Sequence, residues 1–157
     1  MLWLDKVGKN ILKIAIGSDH AGYKLKEFIK KYLEDKKILY TDFGTFKMDS
    51  TDYPEYAYKV SNAILQENFN LGILVCGTGI GMCITANKIK GIRAAVAINI
   101  DTAKLSRLHN DANVLCLGGR MLEEKQTMEI LDTWLSTSFE GGRHLKRIEL
   151  INKLTGL

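Results

Sequence analysis

Short apolar runs rich in β-branched residues alternate along this chain with longer stretches whose apolar residues recur every three to four positions, and this alternation restricts the architecture. The runs Leu12–Ile16 (LKIAI), Ile38–Phe43, Leu71–Cys76 (LGILVC), Arg93–Ile98 and Asn113–Leu117 have the length and composition of strands. Between the first two, Leu25, Phe28, Ile29, Tyr32 and Leu33 define one face of an amphipathic helix from Ala21 to about Asp35. Pro54 suits a first helical position and opens a helix to about Gln66, with Tyr56, Val60 and Ile64 as core candidates. Further helices are expected from the glycine-rich turn at 77–81 to about Lys90, from Asp101 as N-cap to Leu108, over Glu123–Ser136, and over Arg143–Leu154 with Ile148, Ile151 and Leu154 apolar. LGILVC is apolar at nearly every position, as a parallel strand covered on both faces requires. Five strands alternating with helices in 157 residues predict a single-domain α/β/α sandwich around a five-stranded parallel sheet.

Composition excludes several other classes. Twenty-two Lys and Arg against eighteen Asp and Glu give a net charge of +4, too mild for a nucleic-acid binder without a clustered basic face. The longest apolar stretch, Leu71 to Ile84, is interrupted by glycines and a threonine, short of the about 20 residues that span a bilayer. Asp5, Lys6, Lys9 and Lys13 interrupt the apolar residues of the N-terminus, so no signal-peptide core is present and a cytoplasmic location is expected. The three cysteines, Cys76, Cys83 and Cys116, have neither CxxC nor zinc spacing, and their odd number argues against a disulfide framework. Residues 1–10 precede the first strand as an N-terminal extension without an assignable role, leaving 11–157 as the domain.

Ligands of open parallel sheets bind outside the carboxyl ends of the strands, so the turns there carry the functional expectation. GSDHAG follows the first strand, CGTGIG follows the third, and the helix after the fourth ends in Leu108–His109–Asn110–Asp111. Glycines at 77, 79 and 81 free the backbone N–H groups to face an oxyanion or phosphate at a helix start. Met82 occupies the place of the last glycine of a dinucleotide fingerprint, so an NAD reading is weak despite Asp101 downstream, and Tyr23 stands where a P-loop needs lysine, so an ATPase reading fails. Cys76 closes an apolar strand against that helix start, where a thiolate base is favoured; Cys83 and Cys116 read as packing residues. His20 and His109 are expected on the same ligand edge as proton-transfer or anion-binding groups. Arg143 and Arg147 lie one helical turn apart and can converge on one phosphate, with Arg120 after another Gly-Gly pair. A ligand-free tight turn, an inert buried cysteine and a solvated basic face are the competing readings of these same residues.

Taken together, GSDHAG, TDYP (51–54), CGTGIG, ANK (86–88), LSRLHND (105–111) and EGGRH (140–144) resemble the type B ribose-5-phosphate isomerases and the related galactose-6-phosphate isomerase subunits. The resemblance runs from about Ile11 to Leu154 and implies a Rossmann-like fold. It also implies sugar-phosphate aldose-ketose isomerisation without metal or cofactor, in a homodimer or tetramer whose active sites are shared between subunits. On this resemblance Cys76 is the base that moves a proton between C2 and C1, and Thr78 assists proton movement between O1 and O2. His109 opens the furanose ring, and Asp19 and Asn110 grip hydroxyls. His20, Arg143, Arg147 and Arg120 hold the phosphate, and Tyr53 walls the sugar. Backbone N–H groups of Gly77, Thr78, Gly79, Ile80 and Gly81 would stabilise the enediolate, whose charge develops only as the reaction proceeds.

Ribose 5-phosphate and ribulose 5-phosphate are the expected substrates. A six-carbon sugar phosphate such as galactose or allose 6-phosphate is the nearest alternative, because one extra carbon changes binding by only about 1–3 kcal/mol. A non-catalytic phosphate- or nucleotide-binding module is the alternative from another class. It would have no use for Cys76, Thr78 and His109 acting together.

Overall fold

The computed structural model describes residues 11–66 and 69–157; the expected 1–10 extension lies outside them. The chain runs β1 (Lys13–Ser18), α1 (Tyr23–Asp35), β2 (Leu39–Asp42), α2 (Tyr53–Gln66), β3 (Leu71–Cys76) and α3 (Ile80–Ala86). It continues through β4 (Ala94–Val96), α4 (Ile100–Asn110), β5 (Val114–Gly118), α5 (Glu124–Ser136) and α6 (Arg143–Thr155). All strand pairings are parallel, in the order β2-β1-β3-β5-β4, so the expected five-stranded α/β/α sandwich is what forms.

Successive strand residues face opposite layers, and the core divides accordingly. Ile14, Ile16, Ile73, Val75, Leu115 and Leu117 pack toward α1, α4 and α5, against Ile29, Leu33, Ala103, Ile130 and Trp134. Ala15, Leu74, Cys76, Val114 and Cys116 face α2 and α3, where they meet Ala57, Val60, Met82 and Ala86. The chain leaves β1 for β2 on one side and returns to β3 on the other, which makes the β1/β3 boundary the point where the winding reverses and a crevice opens.

Several expected boundaries move for identifiable reasons. Helix α4 is capped by Asn99, not Asp101: Asn99 Oδ1 accepts the Thr102 N–H at 2.8 Å while Thr102 Oγ1 accepts the Asn99 N–H at 3.2 Å, a reciprocal capping box. Helix α3 stops at Ala86, four residues before the expected Lys90, because Asn87 turns its amide onto the edge strand. Its Oδ1 accepts the Ala94 N–H at 2.8 Å and its Nδ2 donates to the Ala94 carbonyl at 2.9 Å. On α6, Ile148 is buried as expected, but Ile151 is 52% and Leu154 76% exposed, because the helix lies at the periphery against α4.

The loop that connects β2 to α2 is anchored from below. Lys26, fully buried on α1, sets its ammonium against Asp42 at the end of β2, and Asp42 Oδ1 accepts the Gly44 N–H at 2.9 Å. Burial raises the Asp42 carboxyl, but the Lys26 and Lys30 ammonium groups and the Gly44 N–H more than offset it and hold the group below the usual carboxylate range. Among the described residues no helix is long and apolar enough to cross a membrane.

Candidate active site

At the β1/β3 boundary, a cavity of about 260 Å³ is lined by Asp19, His20, Ala21, Tyr53, Cys76, Gly77, Thr78, Gly81 and Arg120. Each comes from the carboxyl end of the sheet: the turns after β1, β3 and β5 and the first turns of α2 and α3. The sequence motifs are shaped for this close approach. A Cβ on Gly22 would lie 2.3 Å from the Val75 carbonyl oxygen, so GSDHAG can press against β3 only with glycine there. A Cβ on Gly81 would meet the Tyr53 ring at 2.6 Å; its absence lets Tyr53 lie across the start of α3 as a wall of the cavity.

The polar groups are held by backbone contacts. Asp19, 6% exposed, accepts the Gly22 N–H on Oδ1 at 3.0 Å, which closes its own turn. His20 Nδ1 lies 3.2 Å from the Thr51 N and 3.3 Å from the Thr51 carbonyl oxygen, contacts that fix the ring and leave Nε2 to meet a ligand. Cys76 is 5% exposed, and the Gly79 N–H donates to its Sγ at 3.1 Å. That contact revises one expectation: the Gly79 N–H serves the sulfur, not an oxyanion. The Ile80 N–H likewise donates to Thr78 Oγ1 at 3.3 Å, while the Ile80 side chain is 55% exposed and does not line the cavity. Gly79 itself sits at φ 80° against the backbone of β5, behind the sulfur.

The remaining expected residues lie elsewhere. Helix α4 runs back from the carboxyl edge, and its 11 residues carry the chain about 16 Å. His109 and Asn110 therefore sit at the amino edge of the sheet, beside the entry to β5, and not on the edge shared with His20. Arg143 and Arg147 join them there on α6, because the Glu140 N–H donates to the Leu108 carbonyl at 3.0 Å and α6 begins beside the end of α4. Positive φ at Gly141 and Gly142, 72° and 55°, makes the turn between them. The expectation that all these polar groups share one edge of one chain is thus overturned by the direction of α4.

This second cluster has its own order. The His109 and His144 rings stack with centroids 4.1 Å apart and planes 8° from parallel. Glu140 Oε2 faces His144 Nε2 at 3.3 Å and His109 Nε2 at 3.8 Å. Burial, then the charges of His109 and Arg143, lower the His144 pKa, with Glu140 opposing, so His144 is a neutral support beneath His109 near pH 7. Donor atoms of His109, Glu140 and His144 fall within 4.8 Å of one another. Parallel rings aim their in-plane lone pairs side by side and not at one point, and Arg143 Nε lies 3.5 Å from His144 Nε2, so the trio is poorly shaped for a metal ion. Of the five arginines, Arg93 and Arg107 pair with Asp111, whereas Arg120, Arg143 and Arg147 have no acidic partner among the described residues. Those three are the expected phosphate ligands. Sequence reasoning gave no role to Ala21, Glu140 or Asn87; only the glycine pair after Glu140 hinted that its loop is sharply turned.

Fold and cavity define an open α/β protein with a small, polar ligand site at its topological switch point. Comparison with known proteins specifies it further. The ribose/galactose isomerase family profile matches residues 14–151. Ribose-5-phosphate isomerase B of Escherichia coli (strain K12) is 44% identical over 142 residues, covering 90% of this chain and 95% of that one. A putative sugar phosphate isomerase of Rickettsia bellii is 47% identical over 135 residues, 86% of this chain and 94% of that one. Among solved structures, a ribose 5-phosphate isomerase from Thermotoga maritima superposes with a TM-score of 0.89 at 50% identity, covering 92% of this chain and 99% of that one. Ribose-5-phosphate isomerase B from Mycoplasma genitalium, solved with bound ribulose-5-phosphate, gives 0.87 at 41% identity over 92% and 97% of the two chains. The chain belongs to the ribose/galactose isomerase family.

Proposed function

We propose that this chain interconverts ribose 5-phosphate and ribulose 5-phosphate in the cytoplasm, with residues 11–157 as the catalytic domain. The observation that carries the reading is the Cys76 sulfur at the floor of a cavity whose rim holds Asp19, His20, Thr78 and Arg120. In the open-chain aldose, the Cys76 thiolate removes the proton from C2. The electron pair moves to form the C1=C2 bond, and the carbonyl oxygen O1 takes on charge as the enediolate develops. Thr78 transfers a proton between O2 and O1, and the Cys76 thiol returns its proton to C1, giving the ketose. Gly77 and Thr78 backbone groups at the cavity floor, and Gly81 at its wall, meet the developing oxyanion. The carbon skeleton and oxidation level are conserved overall, so the step needs no redox partner. That relatives 44–50% identical in sequence are named for this substrate supports the five-carbon reading.

The site is completed by a second copy of the chain. His109, Asn110, Arg143 and Arg147 stand at the other edge of the sheet, so within one subunit they cannot open the ring or hold the phosphate of a sugar resting on Cys76. A homodimer, or a tetramer built of such dimers, brings one subunit's amino-edge cluster over its neighbour's cavity. Exposed apolar residues at the cluster, Leu145 at 46%, Leu150 at 51% and Ile151 at 52%, are consistent with a covered α6. The test is ketose formation from ribose 5-phosphate by purified protein in EDTA, beside galactose and allose 6-phosphates. Preference for ribose 5-phosphate supports the reading; turnover of six-carbon substrates alone moves it to that substrate class, and no turnover of any of them refutes isomerisation.

A further inference from the structure

Among the described residues Lys26 is the one charged side chain with no exposed surface, and the isomerisation chemistry makes no use of it. It stands on α1 against the loop 43–52 that joins β2 to α2. Its ammonium meets Asp42, whose side chain is 10% exposed, and Glu27 Oε1 at 3.2 Å. The rings of Phe46 and Tyr23 lie 5.4 and 5.6 Å from the same nitrogen. Lys30 Nζ reaches the Asp42 carboxylate from a more exposed position at 3.0 Å.

Burial of such a pair is a poor source of stability. Taking both charges out of water costs about as much as their attraction returns, so a well-packed apolar pair of similar volume commonly serves stability as well or better. What the charges supply is a single register, because a carboxylate displaced from a buried ammonium leaves both groups without a partner. Here the register reaches the cavity from two sides. Asp42 Oδ1 accepts the Gly44 N–H at 2.9 Å, the Gly44 carbonyl accepts the Ser18 N–H at 2.6 Å, and the Thr45 N–H returns to the Ser18 carbonyl at 2.6 Å. Ser18 is followed directly by Asp19 and His20. On α1, the Lys26 N–H donates to the Gly22 carbonyl at 2.9 Å, and the Gly22 N–H donates to Asp19 Oδ1 at 3.0 Å. The far end of the loop closes on the imidazole itself through the Thr51 N and carbonyl oxygen, 3.2 and 3.3 Å from His20 Nδ1.

We propose that the buried Lys26–Asp42 pair is a positioning device for His20: by fixing the β2–α2 loop it holds the ring where a sugar phosphate meets it. Neither residue lines the cavity, so both act through the loop and are positioning residues, not catalytic ones. That His20 meets the phosphate rests on the isomerase reading; the dependence of its ring on the pair does not.

The experiment replaces the pair as a unit, Lys26→Met together with Asp42→Leu, in the full-length protein. The expected result is an unfolding temperature equal to or above that of the wild type, a KM for ribose 5-phosphate about tenfold higher, and kcat within about twofold. Adding His20→Asn to the pair variant should raise KM no further, because the two changes remove the same contact. Independently of turnover, long-range proton–nitrogen correlation spectra of histidine-labelled protein should show the His20 ring resonances displaced and those of His144, at the other edge of the sheet, unmoved; His20→Asn supplies the assignment. A lowered unfolding temperature with KM effects that add to those of His20→Asn would mark a packing role alone and overturn the proposal. Wild-type KM with unmoved His20 resonances would overturn it as well. Should the pair variant fail to fold, Asp42→Asn carries the test, with KM about threefold higher and the same resonances displaced; unmoved resonances there overturn the proposal equally. Displaced His20 resonances in a protein inactive on every sugar phosphate would refute the isomerase reading and uphold the positioning role.

Discussion

The cavity at the carboxyl edge and the histidine-arginine cluster at the amino edge are built by opposite means. The first is a backbone site. Tight turns after β1 and β3, with glycine where a Cβ would meet Val75 at 2.3 Å or Tyr53 at 2.6 Å, fix a sulfur, a carboxylate and an imidazole to within the tolerance of main-chain packing. The second is a side-chain site on the last turn of one helix and the first turns of another, and Arg143 and Arg147 are exposed without acidic partners among the described residues. Main-chain packing positions the first, whereas long, adaptable cations make up the second, where the proposed reading has the phosphate held. On the proposed reading, neither half is a complete isomerase site.

Perturbing each half separately sharpens that contrast. The largest effect is expected from Cys76→Ala, which should lower kcat by about a thousandfold, as loss of a general base does, with unfolding temperature unchanged. Arg143→Ala should leave kcat nearly intact and raise KM for the sugar phosphate by about thirtyfold, the loss of one charge-assisted contact of about 2 kcal/mol. Steady-state kinetics on both variants would expose a failure, which would be a KM effect from Cys76 or a kcat effect from Arg143.

Acid should weaken the anchor of the carboxyl-edge loop. Asp42 is held below its ordinary value of 3.8, so it binds protons less readily folded than unfolded; its contribution is present above that value and is lost as pH falls below it. Asp42→Asn should flatten the acid limb of the stability curve and, by leaving the buried Lys26 ammonium with Glu27 at 3.2 Å as its remaining carboxylate among the described residues, cost about 2 kcal/mol at neutral pH in urea titrations. The smallest effect is expected from Gly81→Ala. The added methyl meets the partly exposed Tyr53 ring, which can swing aside, so a KM change of about threefold without loss of stability is the expected result.

Much of this was legible in the sequence because local patterns carried it. LGILVC forms β3 with the bounds read from its composition, and the turns containing Asp19, His20, Cys76 and Thr78 meet around one cavity as the strand-end rule requires. What was not legible is global. His109 was expected beside His20 because each ends an element, but a helix that follows a parallel strand returns to the opposite edge, and α4 takes His109 with it. The Gly79 N–H was expected to face an oxyanion, and only the three-dimensional turn shows it donating to sulfur. Capping by Asn99 in place of Asp101 depends on a reciprocal bond with Thr102, whereas Asp101 lies inside the first turn of the helix.

Whether two half-sites in one chain meet across two chains is tested most directly by subunit complementation. Cys76→Ala and His109→Ala proteins, each inactive on ribose 5-phosphate alone, are co-expressed with different tags or exchanged through partial dissociation. If the sites are shared, random pairing makes half the dimers mixed, and each mixed dimer carries one intact and one doubly defective site. Turnover should then return to about a quarter of the wild-type value. A mixture that forms mixed dimers and stays inactive would contradict the account, because Cys76 and His109 would then have to serve the sugar from the same subunit.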